Sequence, residues 1–311
     1  MQFADRKRDQ GFSTDADQVE ITSVKYGNAN IDSGLFDETI ASAYDDFQDE
    51  DFEGEWFQRD VASDSAAGGI FSEIERRKNM LGDAYPFNIQ DNALIFRPDV
   101  NSLTYRFCLV VSSQTNITSR PFNRMPRAFE QVSRLYTQFH FGPYAKSTHT
   151  GWPRVDGQPK LFREMVRVLN QETGEWWWGP DEGLENTDAN PIKDCGIDFV
   201  TWLDSPDGTP GKLFITGQCA CGDDWPKKYA DVQRARYARW FRPPTLYNAP
   251  VKAICVPFAL VPHYVREATE EAGIVYERIR FTLLAKDHEE HLPEALRVEM
   301  QSCIDMLIEG T

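Results

Sequence analysis

Two runs rich in β-branched and aromatic residues, Gly196 to Leu203 and Lys212 to Ala220, flank the heptapeptide Ser205-Pro-Asp-Gly-Thr-Pro-Gly211. Turn formers at that density between two such runs specify a β-hairpin. If the turn centres on Gly208, facing positions lie equally far from it, and Asp198 and Gln218 are each ten residues away. Directly opposed residues on an antiparallel pair hold their Cβ atoms roughly 5 Å apart, close enough for a carboxylate and a carboxamide to reach one hard cation. A centre displaced by one residue makes Thr216 or Ala220 the partner of Asp198 instead, still on the same face.

The segment after the hairpin, Gly222-Asp-Asp-Trp-Pro226, reads as a strand exit, an N-cap and a first-turn proline, which predicts a helix from Trp225 to Trp240. Lys227 and Lys228 then fall in its first turn, where an ammonium can reach back toward Gln218 and orient or deprotonate a water. Trp225, Tyr229, Val232 and Trp240 form the apolar stripe of this helix. Lys227, Arg234 and Arg239 leave it a basic face suited to a phosphate backbone. A second predicted helix, Arg127 to Phe141, carries the stripe Phe129, Val132, Tyr136 and Phe139 with Glu130 beside it. Glu73 and Glu75, in a helix around Phe71 to Met80, are further acidic candidates.

A helix with Glu, a strand with Asp, and a hairpin-linked strand with an amide and a nearby lysine resemble the PD-(D/E)xK, or restriction-endonuclease-like, nucleases. The segments FEQV at Phe129, GWPR at Gly151, KDCGIDFVTW, GKLFITGQCACGDDWPKKY and AICVPF at Ala253 look more narrowly like a bacterial branch associated with defence against phages and plasmids. The resemblance covers roughly Arg120 to Ala285. It implies an α/β fold with a restriction-endonuclease-like core, a mixed central sheet flanked by helices, and an N-terminal accessory segment.

Matched residue by residue, Asp198 corresponds to the central metal-binding aspartate, Glu130 to the helix glutamate and Gln218 to the third ligand. The lysine expected two positions after that ligand is Ala220 here, so Lys228, or Lys227, would have to supply the ammonium. The implied cofactor is Mg²⁺ or Mn²⁺, the implied substrate is DNA, and the implied setting is the effector of a multi-component defence system with protein partners. Such a cation makes hydroxide available near neutral pH and neutralises charge growing on phosphate. With two carboxylates and one neutral carbonyl it would bind weakly, so its occupancy is expected to depend on nucleic acid. The alternative is a catalytically inactive nuclease-fold scaffold that binds nucleic acid or partner proteins, and Gln218 and Ala220 speak for it.

Charge is distributed unevenly. Of a net −16, residues 1 to 70 contribute −12, from 17 acidic and 5 basic side chains, so the remainder is close to neutral and nucleic-acid binding is not excluded. The stretch FDETIASAYDDFQDEDFEGEW, from Phe36, mixes carboxylates with aromatics, a composition of disordered or partner-bound segments. The expected organisation is an acidic segment over 1–65, a small accessory subdomain over 66–119 and the nuclease domain over 120–311. The opening residues lack an apolar signal core, and no apolar run approaches the ~18 residues of a membrane span, which reads as a cytoplasmic protein with no membrane partner. Six scattered cysteines fit a reduced compartment, and Cys219-Ala-Cys221 alone is a weak zinc signal beside plain buried thiols. Walker, GxGxxG and GxSxG motifs are absent from the sequence, which disfavours a nucleotide-driven motor or a serine hydrolase.

Smaller expectations complete the reading. Ala93 to Arg97 is a strand, Tyr105 to Ser113 an apolar element of undecided type, and Leu161 to Asn170 a helix. At least one of Trp176, Trp177 and Trp178 should meet solvent, a base or another protein. Lys252 to Leu260 and Arg278 to Ala285 read as buried strands, and Pro293 to Ile308 as a closing helix.

Overall fold

A computed structural model describes residues 2–31, 55–154, 157–182, 184, 195–241 and 247–308. In chain order its first half contains α1 (Gln2–Tyr26), β1 (Asn28–Asn30), α2 (Glu55–Leu81), β2 (Phe87–Gln90), β3 (Ala93–Phe96), α3 (Leu103–Ser113), α4 (Arg124–His140) and β4 (Ala145–His149). Then follow α5 (Phe162–Thr173), β5 (Phe199–Leu203), β6 (Leu213–Cys219), a 3₁₀ segment (Trp225–Ala230), α6 (Arg234–Ala238), β7 (Val251–Cys255), α7 (Pro262–Ala272), β8 (Ile274–Tyr276), α8 (Arg278–His288) and α9 (Glu294–Ile308). Strands β1, β3 and β2 make a small antiparallel sheet, whose β2–β3 turn uses positive φ at Asp91 and Asn92, as tight hairpins require.

The main sheet has the order β4-β5-β6-β7-β8, antiparallel across its first two pairings and parallel across the last two. The protein is therefore α/β, with a mixed five-stranded sheet flanked by helices. Within the hairpin Phe199 pairs with Gly217, each nine residues from Gly208, so one step further Asp198 lies beside Gln218. The Asp198 amide donates to the Gly217 carbonyl at 2.9 Å. A Cβ on residue 217 would stand 2.0 Å from Phe199 Cζ, so glycine there is what lets the phenyl ring cross the strand.

Strand alternation sorts the layers. Phe199, Ile215, Ala253 and Cys255 face Phe129 and Val132 of α4, together with α3, α8 and α9. Val200, Trp202 and Phe214 face α5 and α6 on the other side, where Ala220, Ile254 and Val275 meet Trp225 and α7. Of the tryptophan run, Trp176 is buried, Trp177 is 44% exposed, and Trp178 stacks on Trp240 at 6.1 Å between centroids.

Several sequence expectations are corrected. Arg278 to Ala285 is helix, not strand: the Glu277 carboxylate caps it by accepting from the Ile279 and Arg280 amides, both at 2.9 Å. Apolar burial on more than one side had erased its helical period. The helix expected from Trp225 to Trp240 is broken, because Val232 turns into the core and Gln233 is extended, with Nε2 donating to the Glu271 carbonyl at 2.8 Å. Tyr105 to Ser113 is helical. Residues 2–26, expected as part of a loose acidic segment, form α1 and pack on α2; residues 32–54, the bulk of the acidic aromatic stretch, lie outside the described residues. Phe107, Cys108 and Val111 of α3 share one core with α4, α8 and α9, so packing runs continuously across the boundary expected at residue 119.

The N-terminal layer is joined to the rest by a buried ionic network. Arg77 and Arg278 are fully buried; Arg77 meets Asp17 at 2.7 Å, Glu20 at 3.0 Å and Glu73 at 2.9 Å, and Arg278 meets Asp17 at 2.7 Å. Tyr85 and Tyr105 donate to Glu20 at 2.6 and 2.7 Å, and Ser13 donates to the Ala259 carbonyl at 2.8 Å. Burial opposes the charge of Asp17, yet Arg278 and Arg77 outweigh it and hold the carboxyl below its ordinary value; Glu73 is lowered in the same way by Arg77 and Arg76.

Removing one partner from such a network strands the others without compensation, at a cost of about 3–5 kcal/mol. Arg278→Ala should lower unfolding stability by that amount in urea titrations. Because the folded pKa values of Asp17 and Glu73 are depressed, their contribution is complete above ~pH 4, the unfolded carboxylate value, and is lost as pH falls through the folded values. Melting temperature against pH should drop on that acid side, with a smaller drop in Arg278→Ala.

Candidate active site

Helix α4 is strongly two-sided: Met125, Phe129, Val132 and Tyr136 enter the core, and Arg127, Glu130, Gln131 and Arg134 share the opposite stripe at i, i+3, i+4 and i+7. That stripe borders a cleft of about 670 Å³, closed on its other sides by His149, Pro153, Arg154 and the start of α9. Glu130 points from the helix toward the end of the sheet, where β4 ends at His149 and β5 begins after Asp198.

Gly151 marks the meeting point. A Cβ on this residue would lie 3.0 Å from Asp198 Oδ1, 3.0 Å from His149 Nε2 and 3.1 Å from Glu130 Oε2. Two carboxylates and an imidazole thus converge on a space that stays open because residue 151 has no side chain. The Gly151 and Thr150 amides both donate to the Asp198 carbonyl, at 2.8 and 2.7 Å, which fixes this loop against β5. Asp198 Oδ2 accepts from the Cys219 amide at 2.7 Å, so one carboxylate oxygen is anchored and the other faces the cradle.

His149 Nε2 and Glu130 Oε2 are 2.8 Å apart, and His149 Nδ1 lies 3.4 Å from Gln158 Oε1. Burial disfavours the imidazolium and wins over the hydrogen bond to Gln158 Oε1 and the charge of Asp198, which favour it, so the His149 pKa is lowered. A neutral ring with its proton on Nε2 donates to Glu130 and leaves Nδ1 without a proton for Gln158, the longer of the two contacts. Among the described residues no group of three or more His, Cys, Asp or Glu side chains is spaced as a ready set of metal ligands. The Glu130–His149 hydrogen bond spans the cradle, and a cation entering it would displace that bond.

The other expected site residues are placed differently. Gln218 stands on β6 beside Asp198 and is 6% exposed; its Nε2 donates to the Cys219 carbonyl at 3.1 Å, and its buried Oε1 has no hydrogen-bond partner among the described residues. Ala220 packs with Trp225, Ile254 and Val256, so the position of the expected motif lysine belongs to the apolar core. Lys228 is half exposed and lies 3.4 Å from Asp231; Lys227 lies 3.6 Å from Asp224. Asp231 also holds Arg236 at 2.7 Å and abuts Gly196. Arg234 and Arg239 are exposed on and just after α6. Glu73 belongs to the ionic network of the N-terminal layer. Cys219 and Cys221 sit near the carboxylates, and burial pushes both thiols well above their ordinary range.

His149 is absent from the sequence expectations, and Gly151 enters them only within the GWPR segment, with no role at the site. Their signal was the Thr148-His-Thr-Gly-Trp-Pro-Arg154 run, in which a histidine at a strand end precedes the glycine by two positions. No family model, no curated protein and no solved structure matches this chain. Among the described residues no helix is long and apolar enough to cross a membrane.

The His149 ring should titrate below ~6.5, the unperturbed imidazole value, in ¹H–¹⁵N spectra of the ring nitrogens. A midpoint above that value would show that the neighbouring carboxylates, not burial, dominate its environment.

Proposed function

We propose that this protein is a divalent-metal-dependent nuclease that hydrolyses phosphodiester bonds of DNA, built on a restriction-endonuclease-like core. The observation that carries the reading is the convergence of Glu130, His149 and Asp198 on the open space at Gly151. The order of the parts supports it: a helix bearing Glu130, a strand preceded by Asp198, and a hairpin-linked strand bearing Gln218. A basic cleft runs up to the carboxylates.

The donor set fits Mg²⁺ or Mn²⁺, which take carboxylate oxygens, Mn²⁺ accepting imidazole more readily. The space that a Cβ at residue 151 would fill favours a group among these side chains. Glu130 Oε2 and Asp198 Oδ1 would hold the cation, with His149 Nε2 as a nitrogen donor; Gln218, expected as the third ligand, is paired with Ile254 and turned with Ala220 to the opposite face of the sheet from α4, so it does not join this set. When bound, the cation would lower the pKa of a water and polarise the phosphate. The Cys219 amide keeps Asp198 oriented, and the Thr150 and Gly151 amides keep the loop from drifting off β5. Before a cation displaces it, the hydrogen bond from His149 keeps the Glu130 carboxylate turned into the cradle. Lys228, matched to the missing motif lysine, stands beside the loop leading to Asp198 but is committed to Asp231. The defence setting and its protein partners belong to this proposal through the sequence resemblance.

The burial of Ala220 and the ion pair of Lys228 favour a second reading, a non-cutting scaffold that retains the fold. Plasmid nicking with Mg²⁺ or Mn²⁺ separates the two. On the nuclease reading Asp198→Ala and Glu130→Ala each lose at least about 100-fold, His149→Ala loses about 10–100-fold as an orienting partner does, and Lys228→Ala stays within about tenfold. Nicking that persists in Asp198→Ala at the wild-type rate would sink the assignment.

A further inference from the structure

Around Lys227, Arg234 and Arg239, the surface expected to bind nucleic acid, Asp224 and Asp231 pair with Lys227, Lys228 and Arg236, while Arg234 and Arg239 are exposed and meet no carboxylate among the described residues but lie away from the cradle's cleft. The cleft beside the cradle differs. It is lined by Arg124, Arg127, Arg134 and Arg154 against Glu130 and Glu299, an excess of positive charge in a chain of net charge −16. Arg124 is held by Glu299. Arg127 is exposed and makes no ion pair or hydrogen bond among the described residues. Arg134 is largely buried, donates to Ser147 Oγ at 2.9 Å and Gln131 Oε1 at 3.2 Å, and meets no carboxylate among the described residues. A half-sheltered guanidinium without an acid partner is suited to a phosphate.

At the rim, directly after Gly151, Trp152 is 42% exposed. The Arg154 guanidinium lies 6.0 Å from the centre of its ring, and Arg154 is itself anchored to the Thr150 and Gly151 carbonyls. An exposed indole held over an arginine beside a basic cleft is the arrangement on which an unpaired base stacks while arginines track its backbone. About 670 Å³ is the size of a small-ligand pocket and has room for a nucleotide or two of one strand.

We propose that this cleft binds a single nucleic-acid strand, with Arg127 and Arg134 on its phosphates and Trp152 stacked on an unpaired base, and delivers that strand to the cradle at Gly151. The delivery rests on the nuclease reading; the binding does not. Binding can be read without metal, so that failure of one is distinct from failure of the other.

The test is fluorescence anisotropy of the full chain in EDTA with a labelled oligothymidylate and with its duplex on oligodeoxyadenylate. Arg127→Ala and Arg134→Ala should each weaken the single strand by about fivefold or more and lower the slope of log affinity against log salt by about 0.7. Trp152→Ala should weaken the single strand by at least about fivefold and the duplex far less, and Trp152→Phe should restore most of the loss. Lys227→Ala, Arg234→Ala and Arg239→Ala should stay within about twofold. Absence of wild-type binding, equal loss on strand and duplex in Trp152→Ala, or a loss that follows Lys227, Arg234 and Arg239 would each overturn the proposal. Arg127 and Trp152 are exposed, so their variants keep the test decisive if Arg134→Ala fails to fold. Strand binding without metal-dependent cleavage would retain this proposal and remove the nuclease reading.

Discussion

Two buried arginines, Arg77 and Arg278, hold the N-terminal layer on the sheet. Each carries a full positive charge out of water, which is tolerable only because Asp17, Glu20 and Glu73 surround them and tyrosine and serine hydroxyls fill the remaining lone pairs. Low dielectric raises the stakes in both directions: satisfied, the network locks geometry, and broken, it leaves naked charge. It joins α1, α2, α3 and the start of α8, and α8 in turn packs against α4 through Phe281, Phe129 and Tyr136. The helix that presents Glu130 is therefore braced from behind by ion pairs that lie on the far side of the core.

The cradle obeys the opposite logic. Here two acids and a histidine approach one another around one glycine, positioned by backbone amides and one imidazole hydrogen bond. Evolution of a stable core alone would not assemble such a group, because clustered carboxylates gain nothing for the fold unless something positive joins them. The basic cleft beside the cradle supplies the complementary charge.

How far the sequence reached depended on how local each signal was. The hairpin register was legible because Gly208 sits midway between two β-rich runs, and Phe199 does face Gly217. The α4 stripe was legible because only one side of that helix is buried. Arg278 to Ala285 misled because a helix buried on several sides has no periodic contrast, and its cap, Glu277, is not of the usual small polar type. Glu130 and Asp198 were legible as a pair only through the family resemblance; nothing local announces that a helix and a strand edge meet. His149 was hidden because its partners, Gln158 and Glu130, lie on separate elements, whereas the i,i+3 spacing of Lys228 and Asp231 was readable as a local ion pair.

The clasp between Asp17 and Arg278 has a temporal meaning as well as a spatial one. During synthesis the first helix emerges long before residue 278, so its acids can meet Arg77 early but gain their second counter-charge only when Arg278 is made. Segments bearing Glu130 and Asp198 leave the ribosome in the interval, before the brace behind them is complete. A chain that stopped before residue 278 would carry the acidic side chains of the cradle without the scaffold that aims them.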